Sequence, residues 1–305
     1  MGRRKHGIDI HGVVLLDKPV GLSSNQALQK VRGIFQARKA GHTGSLDPFA
    51  TGMLPVCLGE ASKTAAFMLE SGKRYRATAR LGVATTTGDV EGQVIRNCTI
   101  PALDADKLAQ SLQRFEGEIE QVPPMYSALK HAGKPLYEYA RAGIFVERPA
   151  RRVTIHDLQM LDWQPPDLTF EVHCSKGTYI RTLAEDIATA LGSCAHLVAL
   201  RRLYVEPFEQ FPMQTLEQLR EAGDNGDLPK FLLPVDAGLP GWPRIDLDPN
   251  QQGRFSNGQH CEVPASNPVG VNVRVYALGG HIIGLGRISA DGHLQPTRVF
   301  NLASG

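Results

Sequence analysis

The sequence predicts an α+β fold around a mixed sheet, followed by a small all-β tail. Three observations carry this. Strands and helices alternate without a regular βαβ period. The run KRYRATARLGV (73–83) alternates with period two, as a half-buried strand does. Beyond a proline-rich change of texture at 233–247, only short alternating runs follow, separated by Gly and Asp. At 305 residues the chain suits one large domain and a small one. The expected division is 1–238 and 239–305.

In chain order, GVVLLDKP (12–19) reads as a short buried strand ending at Pro19. SSNQALQKVRGIFQARK (23–39) reads as an amphipathic helix capped by Ser23 or Ser24, with Leu28, Val31 and Phe35 at helical spacing. Gly41, Gly44, Pro48 and Gly52 make 41–52 mostly loop. Residues 60–71 read as helix. In 73–83, Tyr75, Ala77, Ala79, Leu81 and Val83 share the inner face, and Arg74, Arg76, Thr78 and Arg80 the outer. GDVEGQVI then suggests a turn into a partner strand. Residues 104–115 read as a capped helix, 153–163 and 168–177 as strands across a Pro-rich turn, 178–191 as a helix and 195–208 as a strand. The tail runs VGVNVRVYAL, HIIGLGRIS and LQPTRVF read as a small β-barrel.

No apolar run approaches the length of a membrane span. The start, MGRRKHGIDIHG, lacks the apolar region of a secretory signal, and a basic polar tail is its plainer reading. Cys57, Cys98, Cys174, Cys194 and Cys261 are odd in number and show no C-x-x-C pair. They are expected to be small buried hydrophobes in a reducing cytoplasm, with no structural metal.

The net charge is only +2, but its distribution is uneven. No acid falls between Lys18 and Leu46, where Lys18, Lys30, Arg32, Arg38 and Lys39 are basic. The same holds for 71–88, with Lys73, Arg74, Arg76 and Arg80. Lys130, Lys134, Arg141, Arg148, Arg151 and Arg152 form a third basic group. Such stretches are either solvated faces or a phosphate-binding surface.

The chemistry centres on GHTGSLDPFATGML. Its glycines let the backbone bend, and Pro48 fixes the chain after Asp47, so the loop can hold one carboxylate in one place. Asp-Pro is also an ordinary turn element. DKPVGLSS, AGHTGSLDPFATGMLPV, KRYRATARLGVATTTGD, CSKGTYIRTLAEDI and LRRLYVE together resemble, in content and order, the tRNA pseudouridine synthase B family over most of residues 12–205. The tail resembles a PUA domain.

The resemblance implies a catalytic fold with a central mixed or antiparallel sheet and a PUA-like RNA-binding module. It implies isomerisation of uridine 55 in the tRNA T-loop to pseudouridine, without cofactor or metal. Asp47 would be the catalytic residue. His42, Tyr75, Tyr179, Arg181 and Leu200 would contact the substrate, and 123–152 would be an RNA-clasping insertion. A monomer working in the cytoplasm on the tRNA T-arm is expected.

These residue types suit the reaction. An ionised carboxylate can attack ribose C1′, attack C6 of the base, or take the 2′ proton. Arg181 beside Asp47 would favour the ionised form, though a structural ion pair would look the same in sequence. Tyr75 and Tyr179 suit a pocket for a flipped base, or a plain core. Two other readings stand beside the enzyme: a non-catalytic RNA-binding or tRNA-folding protein, and a metal hydrolase using His42 and Asp47, which lacks further ligands at suitable spacing.

Overall fold

A computed structural model of the chain describes residues 7–264 and 269–302, so part of the basic N-terminal stretch lies outside the described residues. Strand β1 (Gly12–Lys18) is buried except at Asp17, as a strand covered on both faces must be. Helix α1 (Ser24–Ile34) opens on a Ser23–Gln26 capping box. It stops at Ile34 rather than at Lys39, because Gln36 takes a left-handed φ of +48° that no helix continues through. Strands β2 (Ala40–His42) and β3 (Thr51–Leu58) flank the glycine-rich loop. The helix expected over 60–71 splits into a 3₁₀ turn (Gly59–Lys63) and α2 (Ala65–Leu69). Between them, the buried Thr64 hydroxyl bonds the Ala61 and Val235 carbonyls.

Strand β4 (Lys73–Leu81) shows the expected alternation of burial. A hairpin of β5 (Val83–Thr85) and β6 (Val94–Asn97) follows, then α3 (Ala105–Gln113), capped by Asp104. Strand β7 (Gly117–Gln121), unforeseen because its GEIEQ run carries two charges, leads into the insertion. There, β8 (Lys130–His131) and β9 (Lys134–Pro135) pair ahead of α4 (Leu136–Arg141). Strands β10 (Arg151–Gln164) and β11 (Asp167–Cys174), helix α5 (Ile180–Ala190), strand β12 (Ala195–Val205) and helix α6 (Leu216–Asp224) complete this part.

The large sheet runs β1-β3-β12-β4-β11-β10-β7, with β2 beside β3. Its neighbours are antiparallel except the parallel β3–β12 pair. Helices α3 and α5 cover one face through Leu108, Leu112, Leu183 and Ile187, packed on Phe170 and Val172. Helices α1 and α6 cover β1 and β3 through Leu28, Val31 and Leu219. Phe170 is fully buried in the first of these cores. Phe170→Ala should cost about 3–5 kcal/mol, read as a lower denaturant midpoint of unfolding.

The tail forms the expected small β unit: β13 (Arg244–Leu247), α7 (Pro249–Ser256), β14 (Cys261–Glu262), β15 (Asn272–Ala277), β16 (Ile282–Ile288) and β17 (His293–Val299). Its sheet, in order β13-β15-β16-β17-β14, closes on the fully buried Phe255. Gly284 permits this, since a Cβ there would sit 2.6 Å from the Phe255 ring. Ile282, Leu285 and Phe300 share a second core with Val13, Met53 and Phe208. Asp236, in the connecting stretch, accepts from Arg274 Nη1 at 3.0 Å and from the Tyr276 hydroxyl.

Two expectations are corrected. The cysteines are not all unpaired: Cys98 and Cys194 form a disulfide, with Cα atoms 5.8 Å apart. A sequence separation of 96 hides such a pair from any spacing rule. Cys57, Cys174 and Cys261 are the buried free thiols expected. The basic outer face of β4 is also not free. Arg74 pairs with Asp157, Arg76 with Glu171 at 2.6 Å, and Arg80 with Asp167 at 2.7 Å. The partners come from β10 and β11, so the acid-free stretch is neutralised across the sheet.

Candidate active site

The loop between β2 and β3 is held from several sides. The Ser24 hydroxyl donates to the Leu46 carbonyl at 3.0 Å and accepts from the Leu46 N–H at 2.7 Å. Gly21 N–H donates to the Pro48 carbonyl at 2.8 Å. The buried Lys18 ammonium donates to the carbonyls of Leu22 (2.6 Å), Pro19 (2.9 Å) and Pro48 (3.3 Å). Burial pulls its pKa down to about 8, against the attraction of Asp47. Arg202, almost fully buried, donates through Nε to Met53 O at 2.7 Å and through Nη2 to Gly44 O at 3.2 Å. Gly52 has φ +99°, and a Cβ there would sit 2.1 Å from the Arg202 carbonyl. The loop is therefore pinned at Leu46 and Pro48, on both sides of Asp47.

Asp47 Oδ2 lies 3.1 Å from Arg181 Nε. Arg181 is only 5% exposed. Its Nη1 donates to Thr87 O at 2.7 Å and lies 3.4 Å from Asp89 Oδ2, and its Nη2 donates to Tyr126 O at 2.7 Å. Buried Asp89 is fixed in turn by the Thr87 hydroxyl (2.5 Å) and the Glu91 N–H (3.0 Å). Two carboxylates thus share one guanidinium, whose planar fork spans both.

The protonation balance differs from the sequence expectation. Burial raises the Asp47 pKa above the usual carboxylate value. Arg181 and Lys18 pull it down and Asp89 pushes it up, and the net direction is upward. The Asp47 side chain is still 38% exposed. Protein surrounds the carboxylate, yet part of its side chain stays open to solvent. Cavities of about 350, 370 and 170 Å³ lie elsewhere, beside Arg32, Trp242 and Leu136. Burial also pushes Glu185 up to about 6, with Asp186 adding to it.

Tyr75 and Leu200 pack with Leu46 and Phe49 in the core that ends beneath the loop. The Tyr75 phenol stands beside Arg202, and burial raises its pKa. Tyr179 precedes α5 and is fixed through its backbone: its N–H donates to Gln121 Oε1 at 3.0 Å, and Gln121 Nε2 donates to its carbonyl at 3.3 Å. Tyr75 and Tyr179 lie near enough to Asp47 for its charge to act on both phenols, and Leu200 shares the Tyr75 core. His42 stands apart. Among the described residues it makes no bond to Asp47, its Nδ1 is buried without a partner, and burial followed by Arg202 lowers its pKa. Among the described residues, no group of three or more His, Cys, Asp or Glu side chains could hold a metal.

Lys18, Asp89, Arg202 and Gln121 were not foreseen as parts of this site. Lys18, Asp89 and Arg202 lie in the motifs DKPVGLSS, TTTGD and LRRLYVE, but their partners come from distant segments. In the insertion, Arg141 lies over the Tyr137 ring and Arg148 over Phe145, which is 75% exposed. Arg152 is paired with Glu118 at 3.2 Å.

Residues 32–180 match the sequence model of the N-terminal domain of TruB family pseudouridylate synthases. Residues 181–240 match the tRNA pseudouridylate synthase B C-terminal domain, and 243–300 the C-terminal domain of pseudouridine synthase II TruB. The chain is 51% identical to tRNA pseudouridine synthase B of Nitrosococcus oceani over 305 residues, 99% of each chain. It is 47% identical to the Actinobacillus pleuropneumoniae protein of that name, covering 98% of this chain and 99% of the other. Among solved structures, a Cbf5-Nop10-Gar1 complex matches at TM-score 0.73 and 26% identity, covering 95% of this chain and 85% of that one. An H/ACA RNP bound to a substrate RNA containing 2'-deoxyuridine matches at TM-score 0.73 and 23% identity, over 99% and 92%, and shows the shared fold.

Proposed function

The chain belongs to the TruB family of pseudouridylate synthases, and from that premise we propose that it acts on uridine 55 of the tRNA T-loop with Asp47 as its catalytic group. It is an isomerase that converts uridine in tRNA to pseudouridine. The observation that supports the assignment of Asp47 is its position: a carboxylate on a pinned loop, 3.1 Å from a buried guanidinium and partly open to solvent.

The reaction breaks the bond from ribose C1′ to N1, turns the base, and rejoins it through C5, whose hydrogen leaves as a proton. Ionised Asp47 attacks C1′ or C6, or removes the 2′ proton. Arg181 fixes the direction of the carboxylate and offsets its charge. A uridine must leave its stack to reach this depth. Tyr75 and Leu200 then form an apolar floor and Tyr179 a wall. His42, unlinked to Asp47, contacts RNA beside the flipped base.

We take 1–238 as the catalytic domain and 239–305 as an RNA-binding module. The insertion over about 123–152 grips the T-arm, and a monomer in the cytoplasm is the working unit. Its exposed cations, including Lys130, Lys134 and Arg141, supply phosphate contacts. In β4, Arg76 and Arg80 do not, because carboxylates already hold them. Arg76→Ala and Arg80→Ala should therefore leave tRNA affinity and its salt slope unchanged in filter binding. A slope reduced by about one for either variant would reveal a phosphate contact instead.

The position is tested with tRNA transcripts carrying cytidine in place of uridine 55. The expected result is no pseudouridine by nucleoside analysis. Pseudouridine elsewhere in that transcript, at the rate seen with the unaltered one, would refute the assignment.

A further inference from the structure

We propose that Cys98 and Cys194 form a reversible redox site that sets how firmly the support of Arg181 is held. The functional half of this inference rests on the reading of Asp47 and Arg181 given above.

Three segments meet at the bond. Cys98 follows β6, at the end of the hairpin. Cys194 lies between α5 and β12. Gly82, between β4 and β5, joins both through the backbone: Cys98 N–H donates to Gly82 O at 2.8 Å, and Gly82 N–H to Cys194 O at 2.7 Å. The chain from Gly82 to Cys98 is thus a loop closed at its base. Inside it lie the groups that hold Arg181: the Thr87 carbonyl and the Asp89 carboxylate. The near side of this loop is tied to β12, where Leu197 N–H donates to Gly88 O at 2.9 Å.

The far side is held less well. Strand β6 is exposed at every position. Little apolar burial therefore anchors it, and segments of this kind open at low cost. The sulfur–sulfur bond is the covalent anchor of that side. Closing it restrains the hairpin, and opening it leaves that side to its pairing with β5 and the Cys98–Gly82 backbone bond.

The chemistry requires only a small disulfide of the glutathione class. Cys98, the more exposed of the two, supplies the attacking thiolate; Cys194 is 2% exposed. Attack on the small disulfide forms a mixed disulfide at Cys98 and releases one small thiol. The Cys194 thiolate then attacks Cys98 Sγ, displacing the second small thiol and closing the protein bond. The pair loses two electrons to the small disulfide, and its two protons pass to the two thiols released. Small thiols in excess reverse both steps. Cys57 and Cys174 do not compete, since both are buried and burial pushes their thiols up to about 12.

The test uses the full chain, equilibrated with either oxidised or reduced glutathione, then denatured, alkylated and weighed. Three alkylated cysteines are expected after oxidation and five after reduction. The oxidised protein should melt at the higher temperature. Its single-turnover rate should exceed that of the reduced protein by roughly tenfold, less than a misplacement of about 1 Å costs. Cys98→Ser should match the reduced protein under both conditions. Five alkylated cysteines in both samples would overturn the redox site. A bond that forms without changing the single-turnover rate would overturn its link to Arg181. The thiol count and melting temperature do not involve Asp47, so failure of the Asp47 reading leaves them unaltered.

Discussion

Arg181→Leu is expected to lower the single-turnover rate on the order of 10³-fold, with tRNA affinity nearly unchanged. Arg181 is buried and serves Asp47, Asp89 and two carbonyls at once. Removing it leaves two neighbouring carboxylates without their shared counter-charge. Without Arg181, which pulls its pKa down, Asp47 holds its proton to still higher pH. In the intact protein Asp47 already titrates above its ordinary range, because burial outweighs Arg181. Activity, which needs the ionised form, is therefore present above that raised pKa and falls as pH drops through it. Loss of Arg181 moves the acidic limb further up. Stability responds in the opposite sense: a carboxylate whose folded pKa is raised makes folding less favourable as pH rises above its unfolded value. Arg181→Lys keeps a charge but not the fork, and should recover only part of the rate. Single-turnover rates from about pH 5 to 9 check this, and an unmoved acidic limb would contradict it.

Asp47→Asn has the larger expected effect: no detectable pseudouridine, with tRNA binding close to normal. Asparagine nearly preserves shape but supplies neither a nucleophile nor a base. It also removes one of the two carboxylates at Arg181 and leaves Asp89 in place. The loop is pinned through Ser24, Lys18 and Arg202, not through the Asp47 side chain. The fold should therefore persist, with a melting temperature no lower than that of the unaltered protein. Filter binding and circular dichroism separate this outcome from simple unfolding.

Much of the fold was legible because it is local. The alternation in 73–81 and the Asp104 cap each depend on residues close in sequence, and both appear as expected. The rigid loop around Asp47 was readable from its glycines and Pro48 for the same reason. The pairing of Asp47 with Arg181 was legible only through the order of several motifs. Features that depend on distant partners were not readable. Asp89 is an unremarkable acid in TTTGD until Arg181 lies against it. The outer arginines of β4 form a basic stretch in sequence and ion pairs in space, because β11 and β10 bring Asp167, Glu171 and Asp157 beside them. The guanidinium beside Asp47 was anticipated, but not the burial that outweighs it. That balance depends on packing depth, which residue types do not encode.

The central claim is that the Asp47 carboxylate carries the chemistry. Its most direct test is single-turnover tritium release, with enzyme in excess, from tRNA labelled at uridine C5. The intact protein should release the label from uridine 55 to solvent, and Asp47→Asn should release none while still binding the tRNA. Release by Asp47→Asn at the rate of the intact protein would contradict the account.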